Sequence, residues 1–527
     1  MNRFLLVLLV FIVFSCDRES KQKTLTPISV PNPVVLTQGK SVAIDSLLLK
    51  SFESKVLTAF YLNSGYKSVW QSKKNRNIII AQLSKSEEEG VNSATYNINK
   101  LIKFEKKYAT LNENERASYD ILLTNSLQKY ISHLSNGQIN SRNLYKDWDL
   151  KVNVIDINKT IVNMLKTDSL NHKIENIKPN HLVYNSLKNA LRIINSFPKD
   201  NFSAIEIENK IVLNDTNPSV IHIKKRLIYW KDMKPKDSLS AIYDGETYKA
   251  MKKFQIRHGL AADGVIGKGT VAALNFSKKK RKEQILANLE RWRWFPKEMG
   301  KEYVIVNIPD YKLILVENAD TIRTHKVIVG RDKRPTPILS SKLTHVVFNP
   351  TWTVPPTILR EDVIPSIIKN RSYLAQTNIK IFDSKGNEVS AGNWKLSRAK
   401  GYRYVQSPGT FNSLGMVKFI FPNRFSIYLH DTNHRDFFGK QKRSLSSGCV
   451  RVENPLELVE TLLGEGSNWD LEKITKILQS EKTKHIKLQN KIDIHILYWT
   501  AWSENNQLIF RDDIYNLDAN LYQQLGN

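Results

Sequence analysis

The sequence predicts a multidomain α+β chain, and three changes of pattern carry that prediction. Between residues 41 and 215 the apolar residues recur at helical spacing. Between 216 and 277 short helical stretches alternate with glycine-bearing turns, and from 301 the period becomes strand-like. At 527 residues the chain is too long for one hydrophobic core, so several domains are expected. An apolar fraction of 41% with 25% charged residues is that of a globular protein.

Residues 41–215 are expected to form a mostly helical domain. The spacing over 46–62 is that of an amphipathic helix, which Asn63-Ser64-Gly65 would end. Stretches 78–83, 119–134 and 184–194 are further helices, the last with Leu187, Leu191 and Ile194 on one face. Gly137 and Pro198 punctuate two helix ends. Acids in this region, such as Asp120, are expected on solvated faces. No His/Cys spacing suits a metal, and no metal or other cofactor is expected.

In the 216–277 segment, Tyr243-Asp244-Gly245-Glu246-Thr247 leads into a helix bearing Met251 and Phe254-Gln255. His258-Gly259-Leu260, Asp263-Gly264-Val265-Ile266-Gly267 and a helix from Thr270 follow. The glycines fall where tight turns between short helices need positive φ. This pattern resembles the peptidoglycan-binding type 1 module, a small three-helix unit. His258 reads as structural, since no second His or Cys stands at ligand spacing.

Residues 278–300 open on the run Lys278-Lys279-Lys280-Arg281-Lys282 and include Trp292-Arg293-Trp294, which reads as a basic, aromatic connector. Strands are expected over 303–308, 313–317, 324–329 and 345–348, within a predominantly β domain spanning 301–465. An insertion at about 353–415, carrying Tyr373 and Trp394, interrupts it. Residues 466–527 are expected as a C-terminal extension packing on the scaffold and β domains.

The N-terminus points to export. Arg3 precedes the apolar run 4–14, long enough for a signal sequence and too short to span a bilayer, giving a signal peptide over 1–15. Val13-Phe14-Ser15-Cys16 resembles a lipobox, in which Cys16 becomes the lipidated first residue; the alternative is an ordinary secretory signal. Residues 16–40, with three prolines after Cys16, read as lipid anchor and tether. The formal charge of +28 suits a polyanionic envelope surface. No nucleic-acid motif accompanies it, so no nucleic-acid partner is expected.

Only Cys16 and Cys449 are cysteines, and lipidation of the first would leave Cys449 as a single thiol. His430 ends the apolar run Ile427-Tyr428-Leu429, and nineteen residues later Cys449 sits in Ser446-Ser447-Gly448-Cys449-Val450-Arg451. A thiol nucleophile needs a base within reach, because only the thiolate attacks. Gly448 would let the turn aim amide N–H groups at a developing oxyanion. His434 is a second candidate base.

His430 with Ser447-Gly448-Cys449-Val450-Arg451 closely resembles the catalytic signature of L,D-transpeptidases with a YkuD-type domain. Asn349-Pro350-Thr351-Trp352-Thr353-Val354-Pro355-Pro356, Ser407-Pro408-Gly409-Thr410 and Lys418-Phe419-Ile420-Phe421-Pro422-Asn423 support the likeness. With the helical half, the binding module and Tyr498-Trp499-Thr500-Ala501-Trp502, the chain is similar to the YcbB-like branch, which implies that 41–215 is a helical scaffold domain and 353–415 a capping insertion over the active site. Many family members have histidine where Ser447 stands, which leaves the base role to His430.

The resemblance implies a cysteine acyltransferase that forms 3→3 peptidoglycan cross-links. Cys449 would attack a tetrapeptide stem and release D-alanine, and a diamino-acid side-chain amine would take the acyl group. His430 would serve as base, with Gly448 and Asp431 completing the catalytic set. A backbone carbonyl is the alternative to Asp431 for orienting His430. Arg451 either grips a substrate carboxylate or braces the turn. Ser447, Trp352, Tyr428 and Asn454 are the other expected substrate contacts, the aromatics alternatively being core. Implied partners are peptidoglycan stems and glycan, a membrane reached through the lipid anchor, and carbapenem-type inhibitors. The expected location is the periplasmic cell envelope, at the outer membrane of a diderm bacterium. Alternatives are an L,D-carboxypeptidase, a wall-protein attachment enzyme, and a non-catalytic peptidoglycan-binding lipoprotein.

Overall fold

The computed structural model describes residues 41–526, apart from 146, 152, 167, 168 and 464–468. The signal sequence, Cys16 and the tether therefore lie outside the described residues.

The N-terminal region is helical because its apolar residues meet on helix faces and its helices are capped. The helix Glu113–Asn136 begins with a capping box formed by Asn112 and Glu115, which satisfies donors that a helix start leaves open. It ends at Gly137, whose φ is +78°. A Cβ there would collide with the Trp294 and Glu290 side chains, so glycine serves both the turn and a close helix crossing. The stretch 46–62 is two helices rather than one, Ser46–Lys50 and Lys55–Asn63. The chain turns between them at Glu53, with φ +49°.

Asp120 does not lie on a solvated face. It is 4% exposed and accepts hydrogen bonds from Tyr61 Oη at 2.7 Å and from the Val69 and Trp70 N–H groups. Burial pushes its carboxyl up to about 6. The carboxylate ties helix Lys55–Asn63 and the Val69-Trp70 segment to Glu113–Asn136, a tertiary role that helical periodicity does not reveal.

The small module holds helices Ser219–Tyr229, Gly245–Arg257 and Lys268–Leu274. His258 is buried, stacks on Phe254 at 3.8 Å and bonds the Phe254 carbonyl through Nδ1.

The expected connector 278–300 is instead a seventeen-residue helix, Lys278–Trp294, buried over most of its length. Glu290 accepts from Ile139 N–H and pairs with Arg293, while Arg291 pairs with Asp518 at 2.8 Å. Asn288 and Gln284 bond Thr500. The charged residues of this basic, aromatic stretch are thus internal partners. Removing one member of such a buried pair costs roughly 3–5 kcal/mol.

The β domain is built on strands β1 (Glu302–Asn307), β2 (Lys312–Glu317), β3 (Asp320–Gly330), β4 (Ile338–Phe348), β5 (Val417–Ile420), β6 (Leu429–His430), β7 (Val450–Val452) and β8 (Lys484–Leu497). Their order is β4-β5-β6-β7-β3-β2-β1-β8, and β8 pairs back onto β4, closing a ring. The C-terminal extension therefore does more than pack on the β domain: β8 pairs with β1 in parallel and with β4 antiparallel. Closure leaves no ring strand as a free edge. The insertion has its own four-stranded sheet and a core containing Val363, Ile367, Ile381, Trp394 and Tyr404.

Candidate active site

β6 is two residues long, yet β5 and β7 flank it in the ring. Register sets Lys418 of β5 and Arg451 of β7 beside His430. Cross-strand partners project from the same sheet face, so Lys418, His430 and Arg451 form a basic row. Cys449 lies two residues before Arg451 and shares its face by strand alternation.

Cys449, His430 and Arg451 line one cavity of about 470 Å³, together with Trp352, Tyr428 and Ile358. Burial pushes the Cys449 thiol up, against hydrogen bonds from the Tyr428 backbone and phenol and the positive fields of Lys418 and Arg451. His430 is 4% exposed. Burial, then Arg451 and Lys418, push its imidazole down to about 3, with a backbone contact to Asp431 opposing them. At neutral pH a thiol and a neutral imidazole therefore line the same cavity, and the imidazole Nδ1 is buried without a hydrogen-bond partner.

The turn is braced from both sides. Gly448 has φ +116°, a conformation suited to glycine. Its N–H, however, donates to Ser446 Oγ at 3.1 Å, and Ser446 Oγ donates to the Cys449 carbonyl. The Gly448 amide is thus committed within the turn and is not a free oxyanion donor. Its carbonyl accepts from Thr336 Oγ1, and Tyr515 Oη accepts from Thr336 N–H while donating to the Gly330 carbonyl.

Three segments match known families. Residues 55–191 match a scaffold domain, residues 216–274 a "Putative peptidoglycan binding domain", and residues 301–479 an L,D-transpeptidase catalytic domain. Residues 301–479 thus carry an L,D-transpeptidase catalytic domain. A "Putative L,D-transpeptidase" of Haemophilus influenzae (strain ATCC 51907 / DSM 11121 / KW20 / Rd) is 36% identical over 242 residues. That match covers 45% of this chain and 49% of the relative, so the chain spans about half the length of the curated relative it matches. The L,D-transpeptidase (residues 123–326) from Xylanimonas cellulosilytica DSM 15894 is 15% identical, covering 55% of this chain and 99% of that one with a TM-score of 0.18. An L,D-transpeptidase from Stackebrandtia nassauensis is 14% identical, covering 56% and 97%, with a TM-score of 0.21.

Within the L,D-transpeptidase domain the other expected residues divide. The Asp431 carboxylate accepts from Met416 N–H at 2.9 Å and pairs with Arg435 at 3.0 Å. No hydrogen bond joins it to His430, so its side chain holds the strand end to the neighbouring loop. Asn454 is exposed, has φ +47°, and turns the chain from β7 into the helix Pro455–Leu463, outside the cavity lining. Ser447 is exposed and accepts from Arg334 Nη1 at 2.9 Å. Trp352 and Tyr428 line the cavity, and Trp352 hydrogen-bonds the Tyr428 phenol. Arg451 Nε and Nη1 are buried without an acceptor. His434 stacks on Phe437 and is not among the lining residues.

Trp394 and Tyr373 pack in or against the insertion's own core, and Pro355, Thr357 and Ile358 face the cavity in their stead. Arg334, missed in the sequence, joins the insertion to the turn that carries Ser447 and Cys449. Its guanidinium bonds Glu361 and Asp362 of the insertion as well as Ser447. A basic residue in the 330–337 loop is the only trace of this, since its partners lie far along the chain. Arg334→Ala should leave the melting temperature nearly unchanged while limited proteolysis within 353–415 accelerates several-fold. Unaltered proteolysis would rule out the latch.

Proposed function

We propose that the chain is an L,D-transpeptidase forming 3→3 peptidoglycan cross-links through a Cys449 thioester. The observation that carries this reading is a free thiol sharing one capped cavity with a neutral histidine and an arginine whose buried N–H groups lack an acceptor. Such N–H groups are costly to leave unpaired, and a carboxylate on a bound stem peptide supplies what they lack.

In the proposed first step Cys449 Sγ attacks the carbonyl preceding the terminal D-alanine of a tetrapeptide stem, and His430 takes the thiol proton. The oxyanion forms beside Arg451 and near the Cys449 N–H. The C–N bond then breaks, His430 returns the proton to the leaving amine, and a thioester remains. An imidazolium between two cations is unfavourable, which favours prompt return of the proton. In the second step a diamino-acid side-chain amine attacks the thioester; an amide forms and the thiol is regenerated. The cap limits access by water, which would otherwise hydrolyse the thioester.

The family matches and the +28 charge support an enzyme of the cell envelope working on peptidoglycan. Lipidation at Cys16, periplasmic placement at an outer membrane and acylation by carbapenems belong to the same proposal. Incubation with tetrapeptide muropeptides, followed by mass spectrometry, tests the reaction. Dimers lacking one D-alanine are expected. Tripeptide monomers alone would make the enzyme an L,D-carboxypeptidase, and no product would leave a wall-binding protein.

A further inference from the structure

We infer that Lys418 is a positioning residue that acts electrostatically on Cys449 and so favours its thiolate, working with the Tyr428 ring and phenol. This deepens the proposed function and rests on its assignment of Cys449 as nucleophile.

Lys418 lies in β5, directly across from His430 and, on the other side, Val347 of β4. Its ammonium sits 3.7 Å from the centroid of the Tyr428 ring. The phenol of that ring hydrogen-bonds Cys449. Among the described residues Lys418 has no carboxylate partner. The nearest acid along the neighbouring strand, Asp431, is engaged by Met416 N–H and Arg435. The titratable and charged groups facing Lys418 are thus Tyr428, which precedes β6, His430 of β6, and Cys449 and Arg451 from the β7 side; β4 presents apolar Val347. Of these groups Cys449 is the one that Lys418 can stabilise as an anion when the thiol ionises.

Partial burial of an ammonium without an acid is costly, and burial does hold the Lys418 ammonium below its ordinary value, with the Cys449 charge opposing. An apolar or β-branched residue would suit a ring strand better on stability alone. The lysine instead places a cation behind the aromatic face whose hydroxyl touches the nucleophile. Ionisation then proceeds with the thiol proton passing to His430 and the charge on sulfur facing Lys418 and Arg451; no electron is exchanged. Arg451 is left to meet the substrate, and Lys418 acts on the thiolate before substrate arrives.

The test is the pH dependence of iodoacetamide alkylation at Cys449, followed by peptide mass spectrometry on the full chain. In Lys418→Met the alkylation midpoint should move to higher pH and the rate at pH 7 should fall about tenfold. Lys418→Arg, which keeps the charge, should stay close to wild type. A Lys418→Met profile identical to wild type overturns the inference. So does an equal displacement in both variants, which would mean that side-chain packing is responsible. Should Lys418→Met fail to show a cooperative thermal transition, Lys418→Gln is read by the same criteria. Alkylation needs no muropeptide, so a wild type that shows this Lys418 dependence but makes no dimers refutes the proposed reaction and supports the inference.

Discussion

Cys449→Ala is expected to reduce D-alanine release and dimer formation by at least about a thousandfold and to abolish covalent labelling by a carbapenem. The size of the effect follows from what surrounds the thiol. Ser446 Oγ is committed to the Cys449 carbonyl and the Gly448 N–H, and Ser447 Oγ to Arg334. Neither hydroxyl is hydrogen-bonded to His430, so neither is activated to replace the sulfur. Cys449 is also the free cysteine of the described residues. The turn itself should survive, because its braces from Thr336 and Tyr515 do not involve the Cys449 side chain. The checks are muropeptide turnover, intact-mass analysis after carbapenem exposure, and a thermal melt. Label retained on the alanine variant would remove Cys449 from the mechanism.

His430→Gln is expected to slow acylation by about 10²- to 10⁴-fold at neutral pH, the range that a positioned general base contributes. The deficit should shrink at high pH, where hydroxide makes the thiolate without help. The pH profile of the wild type carries a second expectation. A histidine with an ordinary pKa near ~6.5 would lose its base function as pH falls through that value. His430 is held neutral down to about 3 by burial and by Arg451 and Lys418. Its protonation therefore contributes no acid limb near neutrality, and acylation should rise with pH as the thiol, pushed up by burial, ionises. Single-turnover acylation measured from pH 5 to 9 decides this. A wild-type inflection near 6.5 that vanishes in His430→Gln would show that the imidazole titrates normally.

Much of this arrangement is legible in the sequence where it depends on neighbours in the chain. The strand pattern over 303–308 and 313–317 meets β1 and β2, and the glycine-punctuated stretch 216–277 holds three short helices. His430 and Cys449 stand out from local context, and the fold puts both on one cavity. Features set by distant partners are not legible. Asp120 resembles any polar helix residue until the Val69 and Trp70 amides arrive. Glu290, Arg291 and Arg293 look solvated until Ile139 and Asp518 close over them. Lys418 belongs to a readable strand, but only the register of β5 against β6 sets it beside His430. Asp431 shows the converse: adjacency in sequence to His430 suggested a partnership, and the carboxylate turns to Met416 and Arg435.

The closing strand β8 has a consequence for how the β domain comes into being. A chain emerging from its N-terminus presents β1 to β7 while the gap between β1 and β4 is still open, and Lys484–Leu497 fills that gap. Tyr515, which steadies the loop under the Gly448 turn, follows later still. Such sequence-distant pairing is slow to form. Synthesis thus delays the cavity: Cys449 and His430 are made before the strand that closes the ring around them, and a prematurely terminated product lacks that strand.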